Sequence, residues 1–166
     1  MIHSKRKISY TVIAVVLLVV LYSMIFYLSA EDAESSSVVS SKVTEFIFHI
    51  YYKITGGGGG EAVTEPVALL PLEAIIRKLA HFLEYMCVGL LSYSLVVLWS
   101  KPAKLGSLLV ILQLVISAGL DEFHQSFVPG RYASVKDVVI DTAGGIAGIF
   151  MIMIGTKIRN CWRKGK

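Results

Sequence analysis

The fold is decided by residues 8–28, ISYTVIAVVLLVVLYSMIFYL, a stretch without a charged side chain. Because about 20 apolar residues can cross a bilayer as a helix, this stretch predicts a membrane span. It follows the basic residues 5–7 and is closed by Glu31 and Asp32, so we expect a cytoplasmic N-terminus. A cleaved signal peptide is the alternative, but its apolar region usually has only ~7–15 residues, which favours an uncleaved anchor.

Three further apolar runs, at about residues 79–99, 105–123 and 135–154, predict three more spans. The composition agrees, since 55% of the 166 residues are hydrophobic, 17% are charged and the mean hydropathy is +0.68. We therefore predict an all-α integral membrane protein built as a four-transmembrane-helix bundle. Four spans leave no room for a large soluble catalytic domain.

The charges predict that both termini are cytoplasmic. Basic residues concentrate in the N-terminal segment, in the turn at residues 101–104 and in the tail at 157–166, whereas no acidic residue falls on that side. Lysine and arginine in short cytoplasmic segments orient a membrane protein. The net charge of +4 and the pI of about 9.1 are thus explained by topology, and no nucleic-acid partner is predicted.

The chain is divided by these spans into four parts. We expect a cytoplasmic stub with the first membrane helix, an extracytoplasmic connection, a three-span core and a basic cytoplasmic tail. Their predicted bounds are 1–28, 29–77, 78–156 and 157–166.

The connection contains an apolar pattern with helical spacing, at Val43, Ile47, Ile50 and Ile54. This pattern suits a helix lying in the membrane interface, and a helix packed on the bundle fits equally well. The five glycines at 56–60 predict a flexible hinge, because no Lys-Ser of a phosphate-binding loop follows them. A further helix is expected to begin within residues 72–78 and to continue into the second span.

Ionisable side chains inside the spans are the candidates for function, because such groups are costly in a bilayer unless they face a cavity or one another. His81 and Glu84, neighbours on one helix face, lie early in the second span. Asp121, His124 and Gln125 share a face at the end of the third span. Both groups are therefore expected near the outer surface.

The loop after the third span contains Pro129 and Gly130 in the central positions of a type II turn. This turn would hold Arg131 in a short outer loop. Arg131 is accordingly expected beside the polar ends of the spans.

The fourth span starts with Asp137 and Asp141, which share a stripe with Gly144 and Gly148. Small residues at this spacing let a neighbouring helix backbone approach closely. The two carboxylates should therefore face protein rather than lipid. Together with the preceding groups they predict one polar recess below the outer surface.

Three alternatives for these groups stay open. His81–Glu84 or Arg131–Asp137 could be ion pairs that only fix helix register. Asp121 and Glu122 oppose the helix dipole near a C-terminus, so nearby cations such as Arg131, Lys78 or a metal are expected to compensate them. Histidines and carboxylates can bind a divalent cation, but no HExxH spacing selects zinc, and we assign no metal and no cofactor.

Three blocks resemble the VanZ-like family of bacterial membrane proteins. They are RKLAHFLEY at 77–85, DEFHQSFVPGR at 121–131, and SVKD at 134–137 followed by Asp141 and two glycines. The resemblance implies a multi-pass protein of the bacterial plasma membrane, in a family whose best-known member lowers susceptibility to the glycopeptide teicoplanin. It implies a ligand-binding set formed by Lys78, His81, Glu84, Tyr85, Asp121, Glu122, His124, Gln125, Arg131, Ser134, Asp137 and Asp141.

Two functions are consistent with this resemblance. The first is recognition of a lipid-linked wall precursor or lipoglycopeptide, with Arg131 and Lys78 meeting its phosphate or carboxylate groups. The second is a membrane-embedded hydrolase or transferase acting on a lipid-linked substrate. Its candidate catalytic residues are His81, Glu84, Asp121, Glu122 and His124.

A proton-coupled carrier is disfavoured, because Gln113 is the one polar residue that could relay a proton in the first span and the inner halves of the other three. The oligomeric state is not predicted, and the bilayer is the one partner that every reading shares.

Overall fold

The structure, a computed structural model, describes residues 2–55, 66–99 and 104–165, and these residues are helical apart from short connections. The five helices are α1 (Ile2–Ser29), α2 (Ala33–Thr55), α3 (Pro66–Trp99), α4 (Lys104–Gln125) and α5 (Val135–Lys164). No strand occurs among the described residues. The glycine run at 56–60 and residues 101–103 of the predicted turn lie outside them.

Four of the five helices are long and apolar enough to cross a membrane. The candidate spans are Ser4–Ser29, Ala74–Trp99, Lys104–Gln125 and Val135–Lys164. The predicted all-α class with four membrane helices is confirmed. Large apolar side chains such as Val19 and Val139, each 61% exposed, cover the outside, as expected of a surface that faces lipid.

The centre of the bundle is the contact between α3 and α5, the most extensive one between two helices. A side-chain carbon on Gly144 would collide with the backbone carbonyl of Phe82, and one on Gly148 with that of Met86. The two helices therefore touch backbone to backbone, as the small-residue stripe predicts. α4 packs on both of them, and α1 closes the bundle against α3 and α4.

α3 begins earlier than the sequence suggests. Its first residue is Pro66, whereas a helix start within 72–78 was expected. Proline is well suited to the first helical position, because the amide hydrogen it lacks would have no partner there.

The second helix, α2, packs against α3 through a narrow polar face that buries Ser40 and Thr44. Its apolar side chains stay outside, with Phe46 64% exposed and Ile54 78% exposed. Small polar residues thus make the protein contact, while the apolar face is free to meet lipid. The interfacial position of α2 stays a prediction.

Candidate functional site

Five ionisable side chains from three helices form a cluster that we call the acidic recess. α3 contributes His81 and Glu84, α4 contributes Asp121 and Glu122, and α5 contributes Asp141. α3 starts at this end of the bundle, α4 returns to it and α5 leaves from it, so these residues come to one level although they are far apart in sequence. The predicted convergence of the three helices is present in the described residues.

Asp121 is a buried point of contact between α4 and α1. Only 6% of the residue is exposed. Its Oδ2 atom accepts hydrogen bonds from the hydroxyl of Ser29 and from the amide nitrogen of Gln125, both at 3.0 Å. Its Oδ1 atom is buried and has no hydrogen-bond partner among the described residues. One oxygen is therefore held in place and the other is left with unused acceptor capacity.

Glu122 fixes the loop that leads into α5. Its Oε2 atom accepts a hydrogen bond of 2.7 Å from the backbone nitrogen of Ser134, which immediately precedes α5. In the loop itself Gly130 has a positive φ of 75°, which suits the predicted type II turn, and the Arg131 nitrogen bonds the Val128 carbonyl at 3.1 Å.

Arg131 is held over the end of α1. A terminal nitrogen of its guanidinium donates to the carbonyl of Leu28 at 3.4 Å, while its buried Nε has no hydrogen-bond partner among the described residues. Burial, and then the neighbouring charge of Arg77, lower the pKa of Arg131 from its ordinary value. Two arginines therefore stand close together at the rim of the recess.

His81 and Glu84 face each other within α3. Nδ1 of His81 lies 3.3 Å from Oε2 of Glu84, but the geometry is poor for a hydrogen bond, and both atoms count as buried and unpartnered. A hydrogen bond weakens steeply when it is misaligned, even at a short distance. The pair is in contact, yet neither partner is fully satisfied by the other.

Lys78 forms an ion pair with Asp137 across α3 and α5. The alternative pair Arg131–Asp137 is therefore wrong, because the carboxylate of Asp137 pairs with Lys78 instead. Neither of the expected cations, Lys78 and Arg131, forms an ion pair with Asp121 or Glu122 in the part of the chain that the structure describes. The compensation is instead hydrogen bonding.

A set with potential metal ligands lies inside the recess. His81, Asp121 and Asp141 each offer one ligand atom, and these atoms lie within 4.8 Å of one another. Asp141 is only 2% exposed. One nitrogen and two carboxylate oxygens therefore meet in a largely buried place between three helices.

His124 and Tyr85 lie beside this set rather than within it. The ring of His124 stacks on Phe26 of α1 with 4.1 Å between the ring centroids. Tyr85 is 1% exposed and belongs to the hydrophobic core. The ring of His124 thus packs against α1.

Three cavities reach the recess from different sides. One of about 130 Å³ is bordered by Leu28, Ser40, Arg77, His81, Glu84 and Arg131, and one of about 50 Å³ by Arg77, Lys78, Glu122, Asp137 and Asp141. The third, of about 850 Å³, lies along α1 and α4 and is bordered mainly by apolar side chains, with Asp121 and the buried Tyr85 in its wall. The recess thus lies between a cationic rim and an apolar groove.

Sequence reasoning missed two residues of this site. Ser29 is fully buried and donates to Asp121, and Arg77 borders both small cavities. A serine that ends an apolar run and an arginine one position before Lys78 were the available signals. Neither reveals its partner, because the partners lie on other helices.

Gln113, the polar residue noted in the third span, has hydrogen-bond partners on two other helices. Its amide donates to Tyr22 at 3.0 Å and to Ser92 at 3.2 Å, and the Tyr22 hydroxyl donates to Ser117 at 3.3 Å. We call these four residues the neutral network. It links α1, α3 and α4 in the middle of the bundle.

The fold and the recess define a class: a small multi-pass helical membrane protein with a polar site set between helix ends. A family model described as VanZ/LLP1 matches residues 14–156, which is most of the chain. The chain belongs to the VanZ/LLP1 family. The matched residues extend from α1 to α5 and contain the whole recess. No curated protein and no solved structure matches the chain.

Proposed function

We propose that this VanZ-family protein binds a lipid-linked ligand of the bacterial cell envelope, such as a wall precursor or a lipoglycopeptide, in the plasma membrane. The observation that supports the proposal most directly is that two unlike cavities border the same polar cluster. The groove along α1 and α4 is apolar and touches Asp121, whereas the rim cavity has Arg77 and Arg131 and touches His81.

An amphiphilic ligand fits this arrangement part by part. Its hydrocarbon chain would lie in the apolar groove, where burial of each CH₂ group contributes roughly 0.8 kcal/mol. Its phosphate or carboxylate would meet the two arginines, whose planar guanidinium groups bind such anions through paired hydrogen bonds. Arg131 has spare donor capacity for this contact, because its Nε is unpartnered among the described residues.

A role in reduced susceptibility to teicoplanin-type antibiotics would follow if the ligand is the precursor or the drug itself. The protein would then compete for, or sequester, one of the two molecules at the membrane surface. This proposal requires no turnover.

Arg131→Gln tests the proposal. The purified protein in lipid nanodiscs is titrated with a fluorescent lipid-linked wall precursor. Loss of a charged hydrogen-bond donor costs about 1.5–3 kcal/mol, so we expect binding at least about 10-fold weaker. Arg159→Gln is the matched control, because Arg159 borders a cavity at the opposite end of the bundle and its change should leave binding intact. Equal affinity of Arg131→Gln and the unaltered protein would contradict the proposal.

The rival function is catalysis on the same substrate class. It is favoured by the buried, unpartnered atoms of His81, Glu84 and Asp121, since groups with unused hydrogen-bonding capacity are available to a substrate. Release of labelled product from the precursor, together with its loss in His81→Gln, would identify an enzyme. Binding without product release would identify a receptor.

A further inference from the structure

The acidic recess gathers four carboxyl groups that have no lysine or arginine ion-pair partner among the described residues. Glu84, Asp121, Glu122 and Asp141 meet there, while the cation of Lys78 is engaged by Asp137. Carboxylates at this depth in a membrane protein need a positive partner or a proton.

Three of the groups are arranged as metal ligands. His81, Asp121 and Asp141 come from three different helices, and their ligand atoms lie within 4.8 Å of one another. A metal ion about 2.0–2.2 Å from each ligand separates two ligands by at most about 4.4 Å. Only a small inward movement of the side chains would bring the set to that spacing.

A second, independent observation supports a missing partner at this point. Only 6% of Asp121 is exposed, and its Oδ1 atom has no hydrogen-bond partner among the described residues. Its Oδ2 atom is held by Ser29 and Gln125. Metal-binding carboxylates are commonly fixed in this way, with one oxygen hydrogen-bonded and the other on the metal.

We propose that His81, Asp121 and Asp141 bind one divalent transition-metal ion, either Zn²⁺ or Mn²⁺. Imidazole selects against Ca²⁺ and Mg²⁺, and two hard carboxylate oxygens select against Cu⁺. Imidazole suits Zn²⁺ and carboxylate oxygens suit Mn²⁺, so the mixed set matches these two ions. Three protein ligands leave a coordination position open. The open position would accept a phosphate or carboxylate oxygen of the bound ligand, and this last clause rests on the proposed function.

The sequence does not reveal this site because the ligands are 40 and 20 residues apart and follow no local spacing. Zinc motifs such as HExxH are recognisable because two ligands lie on one helix. Here each helix contributes a single ligand. The set exists only once α3, α4 and α5 are packed together.

The test uses the full chain without a histidine tag, purified in detergent and stripped with a chelator. Zn²⁺ or Mn²⁺ alone is titrated by calorimetry, and the metal retained after desalting is counted by mass spectrometry. We expect one ion per chain for the unaltered protein. Asp141→Asn and His81→Gln should each weaken binding by at least about 10-fold.

Glu45→Gln is the control, since Glu45 is an exposed carboxylate on α2 that lies outside the ligand set. It should retain one ion per chain with little change in affinity. The inference is overturned if the unaltered protein binds neither ion specifically, or if Glu45→Gln weakens binding as much as Asp141→Asn. Metal binding by the unaltered protein is required in any case. The inference can therefore be rejected even if a variant fails to fold.

The metal inference and the proposed function can fail separately. Metal binding without any binding of the wall precursor would remove the proposed function and leave the metal site. Precursor binding that is equally strong in chelator-treated and metal-loaded protein would support the recess as a ligand site and reject the metal as part of it.

Discussion

The bundle contains two polar clusters, and they differ in whether their members satisfy one another. In the neutral network, Gln113, Tyr22, Ser92 and Ser117 are joined by hydrogen bonds of 3.0–3.3 Å. In the acidic recess, buried atoms of His81, Glu84 and Asp121 have no hydrogen-bond partner among the described residues. The first cluster is closed on itself and the second is open to an additional group.

This difference separates packing from function. Neutral hydrogen bonds between helices stabilise a membrane protein modestly and do not need a ligand. Buried charges that are only partly paired reduce stability, and proteins keep them mainly at sites that bind or react. We therefore assign a structural role to the neutral network and a ligand-binding role to the recess. The following substitutions test this division.

The largest expected effect comes from Gly148→Ile, which breaks the frame that both clusters share. Any side chain at this position would collide with the backbone of Met86 on α3. Overpacking of a tight interface costs about 1–3 kcal/mol and occasionally more, and a collision with backbone belongs at the upper end. We expect little folded protein, measured as the monodisperse fraction in size-exclusion chromatography and as the midpoint of thermal unfolding.

Gly155→Ile is the control for this prediction, because it lies on the same helix and a side-chain carbon there meets nothing within 4 Å. It should fold like the unaltered protein. If both isoleucine variants behave alike, the contact between α3 and α5 is not what holds the two clusters in position.

The next effect is on binding rather than on folding. Asp121→Asn keeps the shape of the side chain but removes the charge that the recess presents. We expect binding of the fluorescent wall precursor or of metal to fall at least about 10-fold, since a contact to a charged group contributes about 1.5–3 kcal/mol. The midpoint of thermal unfolding should stay equal or rise, because neutralising a buried charge is often neutral or stabilising. A large loss of stability would reassign Asp121 to structure.

Gln113→Leu makes the opposite change in the neutral network. It removes hydrogen bonds to Tyr22 and Ser92 while keeping an apolar side chain of similar size. Hydrogen bonds between membrane helices average about 0.6 kcal/mol, so we expect a loss of about 1 kcal/mol in the free energy of unfolding. Precursor binding should not change. A strong binding defect would mean that the neutral network is part of the site.

The two clusters also show what the sequence could and could not predict. Apolar length fixes the four spans, and the depth of a charge along its helix places His81, Glu84, Asp121 and Asp141 at one level. Rotation about the helix axis is less accessible, because it depends on the partner helix. For this reason the sequence suggested Arg131 as the partner of Asp137 and did not reveal Lys78, and it did not show that His124 turns toward α1.

Partnerships between distant residues were the largest omission. Ser29 lies 92 residues from Asp121, and the partners of Gln113 on α1 and α3 lie 91 and 21 residues away. A single serine or tyrosine in an apolar run indicates no particular partner. These contacts become visible only after the helices are packed.

The smallest expected effect is that of Ser29→Ala, and it bears most directly on where the recess ends. Ser29 is buried and donates to Oδ2 of Asp121, and Gln125 in turn donates to both of them. Alanine removes one donor but leaves Gln125 to hold the carboxylate. We therefore expect a loss of about 0.6 kcal/mol in the free energy of unfolding and a decrease of only a few-fold in metal or precursor affinity. The affinity of Ser29→Ala is measured in the same way as that of Asp121→Asn. A loss as large as that of Asp121→Asn would mean that Ser29 itself contacts the ligand and that the recess extends onto α1.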